Sequence, residues 1–233
     1  MRLDKFLGTT LGITRREAGK LLRDKMIEVD GEIVRSASFS VGDDNNVEFN
    51  GRPLRLQGPR YFMLNKPQGF VCSHVDDFNP TVFVLFDEVS PEKMHVAGRL
   101  DSDTTGLTLL TDDGQWSHRI TSPKHKCEKT YRVWLVDPIL DDYVDKFAEG
   151  IQLRSEKDLT LPAKLEIVDR EDNQVLLTIT EGKYHQVKRM FAALGNKVEH
   201  LHRERIGAIE LCDSLEPGEY RYLSQDEVDS VWK

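Results

Sequence analysis

A polar turn between residues 95 and 107 holds the best candidate for chemistry in this sequence. In it Arg99 lies two residues before Asp101, and glycines flank the pair. The apolar residues that begin at Leu107 predict a strand, which Asp112-Asp113-Gly114 would end. A carboxylate on a turn at the edge of a strand can act as a nucleophile when burial and a nearby cation adjust its charge. It can also simply hydrogen-bond its own backbone, which is the commoner use of aspartate in such turns.

The composition is that of a globular protein without a membrane span. Of the 233 residues 39% are hydrophobic and 31% charged, which suits one large domain or a small domain with a larger one. No apolar run approaches the roughly 20 residues that cross a bilayer, and the segment Met1–Lys5 lacks the apolar core of a signal peptide. The cysteines, Cys72, Cys127 and Cys212, are widely spaced and suggest neither a metal pair nor a disulfide framework. We therefore expect a reduced, cytoplasmic location.

The distribution of charge is more informative than its sum. The net charge of −8 argues against a general nucleic-acid coat protein, which is usually basic. Basic residues nevertheless concentrate at 15–25, 119–132 and 183–205, whereas acidic residues concentrate elsewhere, as at 216–229. Phosphate binding requires a local positive potential and not a positive total. We expect the acidic segments to lie away from any bound RNA.

The first 50 residues predict a compact unit with one cationic helix. Thr14 and Glu17 have the spacing of a capping box, and the helix that follows has one apolar face. Asp30-Gly31 predicts a two-residue hairpin, and Val47 and Phe49 predict a further short strand. The cations fall largely off the apolar face. Such a helix can bind an RNA backbone or can simply be solvated, and the residues alone leave both interpretations open.

The remaining sequence predicts alternating strands and helices, hence an α+β fold. Residues 51–59 contain glycine, proline and charge without periodicity and predict a linker. Tyr61–Leu64 predicts a buried strand that Asn65-Lys66-Pro67 ends, and the acidic tail predicts a peripheral segment. Further strands are predicted at 129–136, 163–168, 175–180 and 201–211, and helical segments at 115–120, 141–150 and 187–194.

Four stretches resemble, in order and with consistent spacing, the motifs of the pseudouridine synthase family named after a synthase of the small ribosomal subunit. They are Gly58–Pro67, Gly98–Asp101 with Thr104–Leu107, Cys127–Tyr131 and Gly182–Met190. The resemblance implies that one uridine of an RNA is isomerised to pseudouridine without a cofactor. It also implies that residues 58–233 form a catalytic domain with a mixed, mainly antiparallel sheet and flanking helices.

The same resemblance implies roles for individual residues. Asp101 is the nucleophile, and Lys188 is the basic residue that pairs with it and keeps it ionised. Tyr131 stacks on the target base, which must leave the RNA stack, and Arg99 holds the vacated helix or the target phosphate. The sequence leaves open whether Asp101 attacks ribose carbon 1′ or the base, or acts as a base at the ribose.

Three stretches near the N-terminus, Arg2–Leu7, Thr14–Ala18 and Val29-Asp30-Gly31, resemble the RNA-binding domain first known from ribosomal protein S4. This implies that residues 1–57, linker included, form an RNA-binding domain. In the family, Lys66 also lies near the rim of the active site. We assign RNA contacts to cations of both domains, namely Arg2, Lys5, Arg15, Arg16, Lys20, Arg23, Lys66 and Arg189.

Whole-chain similarity, which includes Gly58–Tyr61 and His202–Arg205, is closest to family members that act on small-subunit (16S) ribosomal RNA. We therefore expect a monomeric enzyme whose partner is that RNA, either free or in an assembling small subunit. Two alternatives stay open. One is a sibling synthase for large-subunit ribosomal RNA or transfer RNA, and the other is a non-catalytic RNA-binding factor for ribosome assembly.

Two other functions are less favoured by the residues. A hydrolase could use Asp101 and Asp103 as an acid/base pair, but we expect the two carboxylates to point to opposite faces unless the turn reverses one of them. A metal could bind His185, His200 and His202, but neither a cysteine nor a compact ligand set accompanies them. We therefore expect no metal.

Overall fold

The structure is a computed structural model that describes residues 1–42, 44–55, 58–86 and 93–233. The chain divides into two compact units, Met1–Gly58 and Pro59–Lys233.

The first unit packs two helices against a small antiparallel sheet of order β2-β1-β3-β4. Its elements are α1 (Leu3–Leu11), α2 (Arg15–Arg23), β1 (Ile27–Val29), β2 (Glu32–Ile33), β3 (Val47–Phe49) and β4 (Arg52–Leu54). The predicted capping box is present, since the Thr14 side chain accepts from the Glu17 backbone and Glu17 accepts from the Thr14 backbone. Asp30 and Gly31 both have positive φ, as a tight hairpin turn requires, so the predicted hairpin is confirmed.

The predicted linker is partly a strand. Arg52–Leu54 pairs antiparallel with β3 and forms one edge of the small sheet. Proline is tolerated on an edge strand because its missing N–H need not serve a neighbour, which is why Pro53 does not break the pairing. Residues 56 and 57 of the predicted linker lie outside the described residues.

In its described residues the second unit contains one mixed sheet of nine strands, mostly antiparallel, as predicted. The main path is β13-β5-β7-β11-β8-β10-β9, with β6 paired to β7 and β12 to β11. Its strands are β5 (Tyr61–Lys66), β6 (His95–Val96), β7 (Thr105–Thr111), β8 (Lys129–Leu135), β9 (Lys164–Asp169), β10 (Gln174–Ile179), β11 (Val198–Ile206), β12 (Ile209–Glu210) and β13 (Tyr220–Tyr222). Its helices are α3 (Gly114–Thr121), α4 (Tyr143–Glu149), α5 (Gln186–Ala193) and α6 (Gln225–Ser230).

Each face of this sheet has its own apolar core because strand side chains alternate between faces. On one face, residues such as Phe62 and Val133 pack with Phe147 of α4 and Phe191 of α5. On the other, residues such as Met63, Leu107 and Leu109 pack with Trp116 of α3 and Val228 of α6. The helix α5, which carries Lys188, is therefore anchored on the first face.

Among the described residues β7 and β11 pair in parallel, and this contact depends on Gly106. Thr105 pairs with His202 and Gly106 with Arg203. Gly106 has φ of 99°, and a Cβ there would overlap the carbonyl oxygen of Arg203 and lie 2.8 Å from its nitrogen. Glycine at this position lets the two backbones approach closely.

The acidic tail was predicted to be peripheral, but the structure shows that it packs against the rest of the second unit. The strand Tyr220–Tyr222 pairs with β5 and forms an edge of the main sheet. Val228 is buried, and its carbonyl accepts a 3.0 Å hydrogen bond from the indole of Trp116. The acidic side chains surround a few apolar positions, and those positions decide the packing.

No helix in the described part of the chain combines the length and apolarity needed to cross a membrane.

Candidate active site

The turn that carries Asp101 lies between β6 and β7 and is fixed by backbone hydrogen bonds. The Thr104 N–H donates to the Asp101 carbonyl at 3.2 Å, and the Gly69 N–H donates to the Ser102 carbonyl at 2.7 Å. Leu100 is buried and anchors the start of the turn. The Asp101 side chain therefore projects from a constrained backbone, and it is partly exposed.

Each carboxylate oxygen of Asp101 has a basic neighbour from the α5 region. Lys188 Nζ lies 3.1 Å from Oδ2, as the predicted pairing requires, and His185 Nε2 lies 3.3 Å from Oδ1. Lys188 Nζ also lies 2.6 Å from Oδ1 of Asp103. We expected Asp101 and Asp103 to point to opposite faces, and this was wrong. Residues two apart share a face even on a strand, and here both lie in the turn before β7 and contact the same ammonium.

Asp101 and Asp103 form a cluster around the ammonium of Lys188, and this pairing shifts the pKa values of Lys188 and Asp103. Burial opposes the charged form of Lys188, but hydrogen bonds to Asp103 and Asp101 outweigh it and raise the pKa of Lys188. Burial likewise opposes ionisation of Asp103, but its hydrogen bond with Lys188 prevails and lowers the pKa of Asp103. At neutral pH the cluster therefore holds a stable cation beside Asp101.

His185 is a site residue that the sequence did not reveal as such. It has a left-handed backbone with φ of 48° at the N-terminal end of α5, and its ring stacks on Tyr184 at 3.8 Å. We considered it only as a metal ligand. The available signal was its position three residues before Lys188, since residues so spaced share one face of a helix.

Tyr131 lies on β8 and forms part of the buried wall of the site. Its side chain points to the same face as Val133 and is 8% exposed. Its hydroxyl accepts a 3.4 Å hydrogen bond from Nη1 of Arg203. The hydroxyl proton of Tyr131 is therefore free to be donated elsewhere.

Arg203 is a second residue whose place in the site was not predicted. It is 1% exposed, and it donates from Nε to the Leu107 carbonyl at 2.8 Å and from Nη2 to the Gly98 carbonyl at 2.6 Å. Among the described residues no carboxylate forms an ion pair with it. The guanidinium thus ties β11 to Tyr131 and to the backbone that leads to Asp101.

The prediction that Lys66 contacts RNA does not fit the structure. Lys66 is fully buried, and its Nζ donates to the carbonyls of Thr104 at 2.7 Å, Pro67 at 3.0 Å and Ser102 at 3.4 Å. Burial lowers the pKa of this ammonium. Lys66 supports the Asp101 turn from inside, where a phosphate cannot reach it.

A small cleft of about 110 Å³ brings the four predicted catalytic residues together. It is lined by Arg99, Asp101, Tyr131 and Lys188, with Thr104 and His185 among the other lining residues. Arg99 is exposed, and it makes no hydrogen bond or ion pair with any other described residue. Its guanidinium is therefore available to a ligand.

Arg189 has internal partners. Its guanidinium lies 3.1 Å from Oε1 of Glu156 and donates to the carbonyls of Arg154 at 2.9 Å and Tyr184 at 3.1 Å. These contacts attach the loop at 154–156 to α5. A phosphate would have to compete with Glu156 for this side chain.

The six predicted RNA-binding cations of the first unit are all exposed. Arg2 forms two hydrogen bonds with Asp4, and the others lie along α1 and α2: Lys5, Arg15, Arg16, Lys20 and Arg23. Their exposure fits contacts with phosphate.

A larger cleft in the second unit contains none of the four catalytic candidates. It measures about 860 Å³ and is lined by side chains such as Thr130, Arg132 and Thr178, which alternate with the buried face of β8 and β10. Its Arg132 is paired with Glu204. Within the described ranges, no three His, Cys, Asp or Glu side chains are grouped so as to hold a metal ion.

The sequence matches the models of two known protein families, one over most of the second unit and one over the first unit. Residues 60–193 match the model of the family described as RNA pseudouridylate synthase, and residues 1–47 match the model of the S4 domain. The chain belongs to the RNA pseudouridylate synthase family. It is therefore an isomerase, and its fold is a synthase domain preceded by an S4 domain.

Similar proteins extend over the full length of this synthase. A protein of Vibrio vulnificus named ribosomal small subunit pseudouridine synthase A is 67% identical over 233 residues, which is all of both chains. A protein of Escherichia coli with the same name is 59% identical over 99% of this chain and 100% of its own. A solved structure titled as the crystal structure of pseudouridylate synthase is 56% identical, covers 99% of both chains and has a TM-score of 0.72.

Proposed function

We propose that this synthase isomerises one uridine of small-subunit (16S) ribosomal RNA to pseudouridine, with Asp101 as nucleophile. The observation that carries the choice of RNA is the full-length similarity to proteins named as small-subunit synthases. The observation that carries the choice of nucleophile is the convergence of Lys188 and His185 on the two oxygens of Asp101. The domain boundary at about residue 57 or 58 belongs to the same proposal.

The chemistry requires one bond to break and one to form. The bond between N1 and ribose carbon 1′ breaks, the uracil turns while held, and carbon 5 bonds to carbon 1′. Carbon 5 then loses its proton and N1 gains one, so atoms and charge balance. Asp101 acts at the nucleotide while the ammonium of Lys188, 3.1 Å from its Oδ2, holds the carboxylate in place.

The target nucleotide must leave the RNA stack at a cost of a few kcal/mol. Tyr131 gives the cleft an aromatic wall against which the base can stack, and the hydrogen bond from Arg203 fixes the ring. Arg99 projects, exposed, from the turn that holds Asp101, and its guanidinium can bind the target phosphate or fill the vacated position.

RNA docking belongs mainly to the first unit in this proposal. The cations of α1 and α2 are exposed, and the unit matches the S4 domain. Contacts of this kind fix position without reading sequence. In the second unit Arg189 can contribute only by exchanging Glu156 for a phosphate.

A cytoplasmic location and a monomeric state are part of the same proposal. The free thiols of Cys72, Cys127 and Cys212 suit a reducing compartment.

The test is a chemical map of pseudouridine in RNA incubated with wild-type protein, Asp101→Asn or Asp103→Asn. The substrates are free 16S RNA, partly assembled small subunits, 23S RNA and transfer RNA. One new site in small-subunit RNA with wild type, none with Asp101→Asn and the same site at a reduced rate with Asp103→Asn would support the proposal. Modification of only another RNA would contradict the substrate, and full activity of Asp101→Asn would contradict the nucleophile.

A further inference from the structure

Thr104 has a buried hydroxyl without a partner. Its residue is 1% exposed, and its Oγ1 is the one buried side-chain nitrogen or oxygen in the described ranges that lacks a hydrogen bond. Folded proteins satisfy the great majority of buried polar atoms, because an unpaired hydroxyl loses its contacts with water and gains nothing. Such an atom in a native structure therefore calls for an explanation.

The missing partner is not the result of a loose backbone. The Thr104 N–H donates to the Asp101 carbonyl, and the Thr104 carbonyl accepts from the buried ammonium of Lys66 at 2.7 Å. Threonine is also branched at Cβ, which restricts its side-chain torsion. The neighbouring Thr105 does find a partner, with its Oγ1 lying 2.8 Å from Nδ1 of His202. The orientation of the Thr104 side chain is thus set by its surroundings.

The position of Thr104 suggests what the hydroxyl is for. It lines the same small cleft as Asp101, Tyr131 and Lys188. A hydroxyl can donate and accept, and uridine offers both kinds of group on its ribose and on the edge of its base. A polar atom kept unpaired in a site is costly in the free protein and is satisfied only when the correct ligand enters.

We propose that the Thr104 hydroxyl forms a hydrogen bond with the target uridine and helps to position it against Asp101. This rests on the proposed function, in which the cleft receives a uridine. Thr104 then contributes to recognition of the nucleotide, and Lys66 is the positioning residue that holds the Thr104 backbone in place.

The test compares two buried threonines that differ in whether the hydroxyl is paired. Thr104→Val removes the unpaired hydroxyl. Thr160→Val removes one that accepts a 2.9 Å hydrogen bond from the Ile151 N–H, in a residue 3% exposed. Activity is measured as tritium released from RNA labelled at carbon 5 of uridine, since isomerisation expels that hydrogen. Stability is measured as Tm, and kcat and KM are determined separately.

We expect Thr104→Val to lower kcat/KM on the order of tenfold to a hundredfold while its Tm stays equal or rises. Thr104→Ser, which keeps the hydroxyl, should stay within about threefold of wild type. Thr160→Val should show the opposite pattern, a lower Tm with kcat/KM within about threefold of wild type. Unchanged kcat/KM in Thr104→Val, or a loss that Thr104→Ser shares, would overturn the proposal.

Two further measurements keep the result decisive. If Thr104→Val does not fold, Thr104→Ser must retain the activity that Thr104→Ala loses, and equal activity of these two variants would overturn the proposal.

If wild type releases no tritium from any RNA, the proposed function is wrong, but this result does not decide the role of Thr104. Thr104 is then tested by binding of uridine 5′-monophosphate, followed by NMR. About tenfold weaker binding to Thr104→Val supports its role, and equal binding overturns it.

Discussion

The two units of this synthase use positive charge in opposite ways. On α2 of the first unit four cations, Arg15, Arg16, Lys20 and Arg23, are exposed. In the catalytic unit Lys66 and Arg203 are buried, and each makes three hydrogen bonds. Exposed cations attract phosphate over a distance and are screened by salt. Buried, fixed cations set geometry and potential, and salt affects them little.

Lys66 and Arg203 have no acidic partners among the described residues. Lys66 and Arg203 donate to backbone carbonyls and to the Tyr131 hydroxyl, all of them neutral oxygens. These contacts satisfy the N–H groups but do not cancel the charge. Their residual positive potential acts close to the Asp101 turn, where it stabilises negative charge that develops on a bound nucleotide.

The largest effect should come from Arg203→Met. It leaves the carbonyls of Gly98 and Leu107 unpaired, so we expect the free energy of unfolding to fall by about 3–5 kcal/mol and activity to be lost. Urea denaturation and tritium release measure the two effects. As a control, Arg132→Met removes a partly exposed cation paired with Glu204 and should cost about 1 kcal/mol or less. Equal effects of the two changes would remove the distinction between buried and exposed cations.

Lys188→Met should have the next largest effect, and on rate more than on stability. Without the ammonium at 3.1 Å from Asp101, we expect the single-turnover rate to fall by about 10²- to 10³-fold. Lys188→Arg should recover part of that loss. The matched control is Lys164→Met, which removes an exposed lysine paired with Glu166 and should leave the rate unchanged. A rate near wild type for Lys188→Met would argue that the turn alone orients Asp101.

Removing the four α2 cations together should weaken binding without affecting the fold. With all four changed to Gln, we expect RNA to bind about tenfold to a hundredfold less tightly at 0.1 M salt, with a shallower dependence on salt concentration. The Tm should not change, because all four side chains are exposed. The control changes three cations of the second unit to Gln, namely the partly exposed Lys146 and the exposed Lys164 and Arg170. An equal loss in both variants would mean that the S4 domain has no special share in docking.

The smallest effect concerns the ion pair of Arg221 with Glu227. This pair is partly exposed, so it lies between the exposed cations of α2 and the buried cations of the catalytic unit. Hydrogen bonds from Arg221, set against the cost of burial, lower the pKa of Glu227 to about 2. Because this pKa is lower in the folded protein, its contribution is present above about pH 4.5 and is lost as pH falls toward 2. After allowance for solvent screening we expect Glu227→Gln to cost about 1 kcal/mol at pH 7 and nothing near pH 2. Urea titrations at several pH values would show this, and a difference independent of pH would contradict it.

The sequence predicted the parts of the structure that depend on local pattern. The Thr14 capping box, the Asp30-Gly31 hairpin and the apolar face of α5 follow from residues within a few positions of one another. The pairing of Asp101 with Lys188 could also be predicted, although 87 residues separate them. That prediction came from the family resemblance and not from spacing.

The roles of Lys66, His185 and Arg203 could not be obtained in the same way. The sequence does not distinguish an exposed lysine or arginine from one that is buried against carbonyls. Only the three-dimensional contacts separate the two cases. The partners of Arg203 lie on Gly98, Leu107 and Tyr131, far away in sequence. The tail was misjudged for a related reason, because its charged composition concealed the few residues that pack.

The burial of Lys66 has a consequence for following the motion of this protein. Its amine is enclosed by three carbonyls next to Asp101, so an acylating reagent can reach it only when the turn transiently opens. The rate of labelling at this one lysine therefore reports the opening equilibrium of the catalytic turn, against a background of exposed lysines that react at once. Mass spectrometry of Lys66 labelling over time, with and without RNA, would show whether bound RNA changes how often the catalytic turn opens.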